Sequence, residues 1–320
     1  MVSIACLDAL CSIRDHDEQA SLQFASRDSI KKLLVCDMRL TGDDNECERR
    51  FVTSEADLDV IEWIDAYPNA HRIAYENRKD MERWLTKISI VKLLEELDHG
   101  YIDKIEFSAN ANRITIKSYV EKAIADQTAL PLVTAYTEAT PFFSHINRDL
   151  AKLGSDFRFE SARALLQLGH RDDEPPKDMG PHILAAILIY HPSLQPYYHT
   201  GKTFRGMNIT SNDLECYVIG KIFMTRSFLS TTKNRQVAEL FLDVSRRESN
   251  RPVICIYNTL NPHSSLYIGR LSKFQYEEEV LILPFVIFHV NAIRQVITDD
   301  GSNITEIELK EMSSMLTNIF

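Results

Sequence analysis

The stretch Tyr276-Glu277-Glu278-Glu279-Val280-Leu281-Ile282-Leu283-Pro284 sets three acids directly against an apolar run that continues through Val286, Ile287 and Phe288. Successive β-branched and large apolar residues predict a strand buried on both faces or nearly so. Carboxylates rarely stand at the mouth of such a strand without a partner or a task. Alternate side chains of a strand share a face, so Glu277 and Glu279 are expected to point together while Glu278 points away. Two readings are open. One is a solvated edge feeding a core strand; the other is a carboxylate pair on one side of a cleft, able to stabilise a cationic centre and activate a nucleophile.

Outward from this stretch the second half of the chain reads as strands. Thr203 to Arg205, Met224 to Thr232, Val253 to Tyr257, Val280 to Phe288 and Val290 to Thr298 carry the pattern, and Glu306 to Met312 reads as a further strand or a short helix. A helix from Asn234 to Val244 interrupts them, with Val237, Ala238, Phe241 and Val244 along one side. The residues before Thr203 are helical in character. Phe142, Ile146, Leu150 and Leu153 suit one helix face, Ser161 to Gly169 suggests another helix, and Ile183 to Tyr190 is a strongly apolar helix stopping at Pro192. A helical half followed by a β half is an α+β layout.

Further upstream, Leu33 to Cys36 is a short strand candidate, Gly42 to Asn45 a turn, and Ser54 starts a capped helix that ends before Pro68. A helix from Asn77 to Leu97 places Met81, Trp84, Leu85, Ile88, Val91, Leu94 and Leu97 mostly at three-and-four spacing, with His99-Gly100 closing it. Ile102 to Phe107 and Arg113 to Tyr119 alternate like two strands joined at Asn110-Ala111-Asn112. Residues 1–125 thus read as a small α+β domain with a binding or regulatory role, and residues 126–320 as a second domain.

With 320 residues, 44% hydrophobic and 26% charged, the chain has the composition of an ordinary globular protein with room for two cores. A net charge of -10 argues against a broad nucleic-acid surface and against polybasic membrane attachment. No apolar run approaches the roughly 20 residues that span a bilayer. Cys6, Cys11, Cys36, Cys47, Cys216 and Cys255 match no common zinc spacing and are too sparse for a disulfide scaffold. Free thiols, no metal, and a cytoplasmic location with secretion left open are the expectations. The start, with Asp8 and no basic leader, is a poor match to a signal peptide.

Two more segments could carry chemistry. Arg205 in Phe204-Arg205-Gly206 offers a rigid donor fork suited to a phosphate, and Gly206 permits close approach to the backbone. Equally, Arg205 could be a salt-bridged surface residue. Ser227-Phe228-Leu229-Ser230-Thr231-Thr232 alternates as a strand whose hydroxyls could orient a ribose, or serve only as strand-end and cap residues.

Taken in order, these pieces resemble the catalytic domain of the arginine-specific mono-ADP-ribosyltransferases, with their Arg, Ser, Glu-x-Glu signature. The likeness runs from Tyr136 to Val290. It rests on Tyr136-Thr137 with Pro141-Phe142-Phe143 and Asn147, on Thr203-Phe204-Arg205-Gly206, on Ser227 to Lys233 with Ala238 and Phe241, and on Glu277 to Pro284. The resemblance implies a helical part followed by a split β-sandwich core, with NAD as co-substrate and an arginine-bearing protein as acceptor. It assigns Arg205 to the NAD phosphates, Gly206 to the nicotinamide amide, and Ser230 to positioning the catalytic glutamate and the nicotinamide-side ribose, with Thr231 also in the NAD site. Phe241 would pack on the nicotinamide ring and Glu279 would be the catalytic glutamate. Glu277 would engage the acceptor arginine, with Tyr276 and Phe274 beside it. Thr232 stands where a second serine is commoner. The cysteine pairs of the secreted vertebrate members are not recognisable. Two other outputs are compatible with such a site: NAD hydrolysis by water, and binding without catalysis.

Overall fold

Side-chain spacing divides the chain into a helical layer and a sheet, which the computed structural model describes through residues 63–65, 70–107, 109–156, 173–242, 250–298 and 301–312. The helical layer holds α1 (Ala70–Lys87), α2 (Ile90–Glu95), α3 (Asn110–Asp126), α4 (Leu130–Tyr136), α5 (Phe142–Asp156) and α6 (Gly180–Tyr190). Pro181 sits in the first turn of α6, where its missing N–H leaves no hydrogen bond unmade, and Pro192 follows its end. A helix apolar on every side must be enclosed. Accordingly every residue from Gly180 to Ile189 is buried, with α1 and α5 packed against α6. One core joins this helix to Met81, Leu94, Ile116, Val120, Leu132 and Ile146, so residues on the two sides of position 125 share the same apolar interior.

The sheet contains β1 (Trp63–Asp65), β2 (Gly201–Thr210), β3 (Ile222–Thr225), β4 (Leu229–Thr232), β5 (Asn250–Thr259), β6 (Ser265–Tyr267), β7 (Glu279–Ile282), β8 (Ile287–Ile297) and β9 (Asn303–Glu311). Short helices α7 (Ser211–Glu215) and α8 (Arg235–Leu240) follow β2 and β4. The strand order is β1-β3-β8-β9-β5-β2-β4-β7-β6, antiparallel except for β5 with β9. This order forces curvature. Between β3 and β4 lie five inter-strand steps, or ~24 Å in a flat sheet. Yet only Arg226 to Phe228 separates Thr225 from Leu229, a stretch that reaches at most ~14 Å. The sheet therefore folds back on itself around a core of Met207, Phe223, Leu229, Tyr257, Ile282, Phe288 and Leu309. The sandwich expected from the sequence is realised as one continuous ladder, α+β with the helical layer ahead of every strand but β1.

Several elements differ from their sequence reading. Arg113 to Tyr119 is not a strand but part of α3, because Ile116, Val120 and Ala123 bury one helical stripe while Ile114 is 62% exposed. Asn110 to Asn112 is therefore the first turn of α3, which ends at Gln127 in the left-handed conformation (φ 48°). Ile102 to Phe107 is likewise not extended throughout: a 3₁₀ turn at Ile102–Lys104 buries Ile102 and, three residues on, Ile105. Trp63 to Asp65 pairs with β3 rather than ending a helix. The helix expected over Asn77 to Leu97 starts earlier and is divided into α1, α2 and a wider π turn over Glu96–Tyr101 that contains His99 and Gly100. Met224 to Thr232 is two strands. Val280 to Phe288 is also two, since Pro284 and a left-handed Phe285 (φ 62°) turn the chain between β7 and β8. The expectations for Leu33 to Asn45, the start at Ser54 and Ser161 to Gly169 lie outside the described residues.

Candidate active site

Glu279 is the first residue of β7 and stands opposite Thr232 of β4, which in turn stands opposite Phe204 of β2. Ser230, two residues along β4, shares the Thr232 face. Its Oγ donates to Glu279 Oε1 at 2.7 Å, while Ser272 Oγ donates to Glu279 Oε2 at 3.1 Å. The carboxyl is thus gripped at both oxygens. Glu279 is only 6% exposed, whereas Ser230 faces outward. Burial pushes the Glu279 carboxyl above its ordinary pKa, and the two serine hydroxyls and the nearby Arg205 charge pull it back.

Arg205 lies on β2 opposite Cys255 and is itself buried. Its Nη1 donates to the Ser230 carbonyl oxygen at 2.6 Å, so the guanidinium braces the strand that presents the serine. Burial pushes the Cys255 thiol up to about 12, against the pull of Arg205, and leaves it neutral. Arg205, Ser230 and Glu279, far apart in sequence, therefore meet on three adjacent strands.

The remaining sequence candidates are placed differently. Gly206 points to the face opposite Arg205, where α8 lies against β2. A Cβ there would run into the Ala238 carbonyl group, so close helix packing already requires glycine at this position. Thr231 points away from Ser230, and its hydroxyl donates to the Val280 carbonyl at 2.6 Å, locking β4 to β7. Phe241 follows the last residue of α8 and is half-buried; its carbonyl accepts from Asn208 Nδ2 at 3.2 Å.

Glu277 does not share a strand face with Glu279. It ends a 3₁₀ turn over Gln275–Glu277, and Glu278 adopts the left-handed conformation (φ 46°), so regular strand alternation begins only at Glu279. The Glu278 carbonyl accepts from Lys233 N at 3.2 Å, which fixes this break. Glu278 is exposed, as expected. Phe274 and Tyr276 occupy the same loop with their rings edge-on, 6.3 Å apart. Glu277, Tyr276 and Phe274 thus form a loop leading into the Glu279 centre rather than a continuation of its strand.

Two contributors are assigned no task by the sequence, although one of them, Asn147, is among the residues that carry the resemblance. Ser272 is one; a hydroxyl seven positions before Glu279 has no periodic relation to it, and only the loop path brings them together. Asn147 is the other. Its Oδ1 accepts from Phe228 N at 3.2 Å and its Nδ2 donates to the Tyr136 hydroxyl at 3.0 Å, while the Tyr136 ring meets Phe228 at 5.1 Å. The helical layer therefore holds the start of β4. Among the described residues, no group of three His, Cys, Asp or Glu side chains could hold a metal ion, and no helix is long and apolar enough to cross a membrane.

Residues 189–315, which include β2 to β9, match the family model described as NAD:arginine ADP-ribosyltransferase. The resemblance to that family holds over this segment. No curated protein sequence matches the chain. Among solved structures it is similar to the type III effector XopAI from Xanthomonas axonopodis pv. citri, at 13% identity and a TM-score of 0.45, covering 81% of this chain and 100% of that one. It is also similar to the ADP-ribosyltransferase HopU1 of Pseudomonas syringae pv. tomato DC3000, at 15% identity and a TM-score of 0.39, covering 74% and 97%. A third is exoenzyme S from Pseudomonas aeruginosa, solved with human 14-3-3 protein beta and carba-NAD, at 16% identity and a TM-score of 0.38, covering 69% and 89%.

Proposed function

We propose that the protein transfers the ADP-ribose unit of NAD to an arginine side chain of an acceptor protein and releases nicotinamide. The observation that supports this most is the buried Glu279 carboxyl, held at both oxygens directly beneath an outward-facing Ser230, inside the segment that matches the family. A carboxylate in that position is within reach of a sugar hydroxyl, and Arg205 beside it supplies the positive charge that a phosphate-bearing co-substrate needs.

In the reaction, the bond between ribose and nicotinamide breaks, its electron pair stays with the ring nitrogen, and positive charge develops at the anomeric carbon. Glu279, hydrogen-bonded to a ribose hydroxyl, stabilises that charge more than it stabilises the neutral sugar. Nicotinamide departs as a neutral base and needs no proton. The acceptor guanidinium is a poor nucleophile while protonated; Glu277, on the loop beside Glu279, orients it and accepts the proton it sheds as the new carbon–nitrogen bond forms. Ser230 fixes the Glu279 rotamer and contacts the ribose, Arg205 meets the phosphates, the Gly206 backbone and Phe241 meet the nicotinamide, and Thr231 secures the strand. Phe274 and Tyr276 offer the acceptor an aromatic approach.

Incubation with labelled NAD and an arginine-rich acceptor, followed by mass-spectrometric mapping of the modified atom, tests this. Label on guanidinium nitrogen is the expected result. Nicotinamide release with no protein-bound label would instead mean that water is the acceptor, and no nicotinamide release would leave only binding.

A further inference from the structure

We propose that Ser272 is a positioning residue that locks the Glu279 carboxylate and the acceptor loop 269–278 into one frame, with Thr134 of α4 and Thr137 at its C-terminal cap holding Ser272 in place. This rests on the reading of Glu279 as the catalytic carboxylate.

The loop is closed at its base, where Ile268 N donates to the Glu279 carbonyl at 2.9 Å. Inside it, Leu271 N and Ser272 N both donate to the Ile268 carbonyl at 2.8 Å, and this tight turn leaves Ser272 3% exposed. A serine hydroxyl has one proton to give and two lone pairs to offer. Ser272 gives its proton to Glu279 Oε2 and accepts from Phe274 N at 3.1 Å. One oxygen atom therefore couples the buried carboxylate to the backbone from which the Gln275–Glu277 turn starts. With Ser230 on Oε1, the carboxyl plane is fixed from two sides.

The helical layer grips the backbone on each side of this serine. Thr134 Oγ1 donates to the Leu271 carbonyl at 3.2 Å, and Thr137 Oγ1 accepts from Lys273 N at 3.2 Å. Thr134 lies in the last turn of α4 and Thr137, three residues on, is its C-terminal cap, so both hydroxyls belong to the same helix end. The Thr137 hydroxyl donates in turn to the Thr134 carbonyl at 3.1 Å, which orients its lone pair toward Lys273. Lys273 Nζ adds an ion pair to Glu138 at 3.2 Å. Three successive residues are thus held, the middle one by the carboxylate itself. A serine that merely clipped the loop would need only the Phe274 contact.

The test is a pH series of nicotinamide release by the full chain and its Ser272→Ala, Ser272→Thr and Thr137→Val variants. A hydrogen bond to a carboxylate favours its ionised form, so removing it moves the acid limb of the profile to higher pH. Ser272→Ala is expected to lower kcat about 10- to 100-fold with the limb displaced upward. The KM for NAD should change by less than about 3-fold. Ser272→Thr, which keeps the hydroxyl, should recover most of the rate, and Thr137→Val should show a smaller loss in the same direction. Wild-type kcat in Ser272→Ala, or equal loss in Ala and Thr with an unmoved acid limb, overturns the proposal. A readout that does not depend on turnover separates this inference from the proposed function. The Glu279 carboxyl can be titrated by carbon-13 NMR, assigned by its disappearance in Glu279→Gln. An upward shift in Ser272→Ala or, should that variant not fold, in Thr137→Val supports the coupling even if the wild-type chain transfers nothing. An unshifted titration overturns it.

Discussion

Replacing Gly206 by alanine separates two reasons for a glycine beside Arg205. In one, the bare backbone is kept for the nicotinamide amide; in the other, α8 lies so close to β2 that nothing larger than hydrogen fits. An alanine Cβ would meet the Ala238 carbonyl oxygen at clashing distance and the Leu242 side chain at 3.4 Å. Backbone is the obstacle, so no rotamer change relieves it. The helix is also not free to lift. Arg235 is ion-paired to Glu306 of β9, and the Phe241 carbonyl accepts from Asn208 of β2. Moving α8 outward strains both ties, which puts the substitution in the range of core overpacking, about 1–3 kcal/mol. At about 2–4 °C per kcal/mol for domains of 150–250 residues, the expected fall in melting temperature is roughly 2–12 °C. Chemical denaturation of both proteins, with fitted slopes compared, gives the free-energy difference directly. Stability equal to wild type within about 0.5 kcal/mol, whatever happens to the KM for NAD, would refute the packing argument.

Three further outcomes follow from the same geometry. Burial raises the Glu279 pKa in the folded chain, so its contribution to stability is fully present below the ordinary glutamate pKa and is lost as pH rises through the raised value. Glu279→Gln is therefore expected to be more stable than wild type at neutral pH, by about 0.5–2 kcal/mol, with the gain shrinking toward acid pH in thermal melts across a pH series. Asn147→Ala leaves the Phe228 N–H without its partner, and denaturant unfolding should register a loss of about 1–3 kcal/mol. Acceptor assays on Tyr276→Ala should show a raised KM for the protein acceptor with nicotinamide release retained, as expected if the exposed ring approaches the acceptor rather than the nucleotide.

What could be read from the chain alone divides along physical lines. β2 is legible only over Thr203 to Arg205, although the structure extends it across Gly201–Thr210, and α6 is legible because Ile183 to Ile189 are uninterruptedly apolar and have no solvent side. Arg205, Ser230 and Glu279 are legible as residue types in an order, and the sheet brings them together. The helix α3 is not, since Ile114 and Ile116 imitate a two-residue period although only Ile116 is buried. The separation of Glu277 from the β7 face is not legible either. It depends on Glu278 adopting a left-handed conformation that glycine or asparagine would have advertised and glutamate does not. At Phe285 the same conformation had a warning, because Pro284 just before it cannot continue a central strand. Ser272 becomes visible only once the loop path is known. Its partners are Glu279 and Phe274 in sequence neighbourhood, but the residues that grip its flanks come from the C-terminal end of α4 and its cap, more than a hundred positions upstream.

In the proposed reaction Glu279 stabilises charge on the sugar while Glu277 serves the acceptor. Parallel measurement of nicotinamide release and of arginine-linked ADP-ribose in Glu279→Gln and Glu277→Gln tests it most directly. Glu279→Gln should lose both outputs by about 10²–10³-fold, while Glu277→Gln should lose arginine transfer and keep appreciable nicotinamide release. Undiminished nicotinamide release in Glu279→Gln, or equal loss of both outputs in Glu277→Gln, would contradict the account.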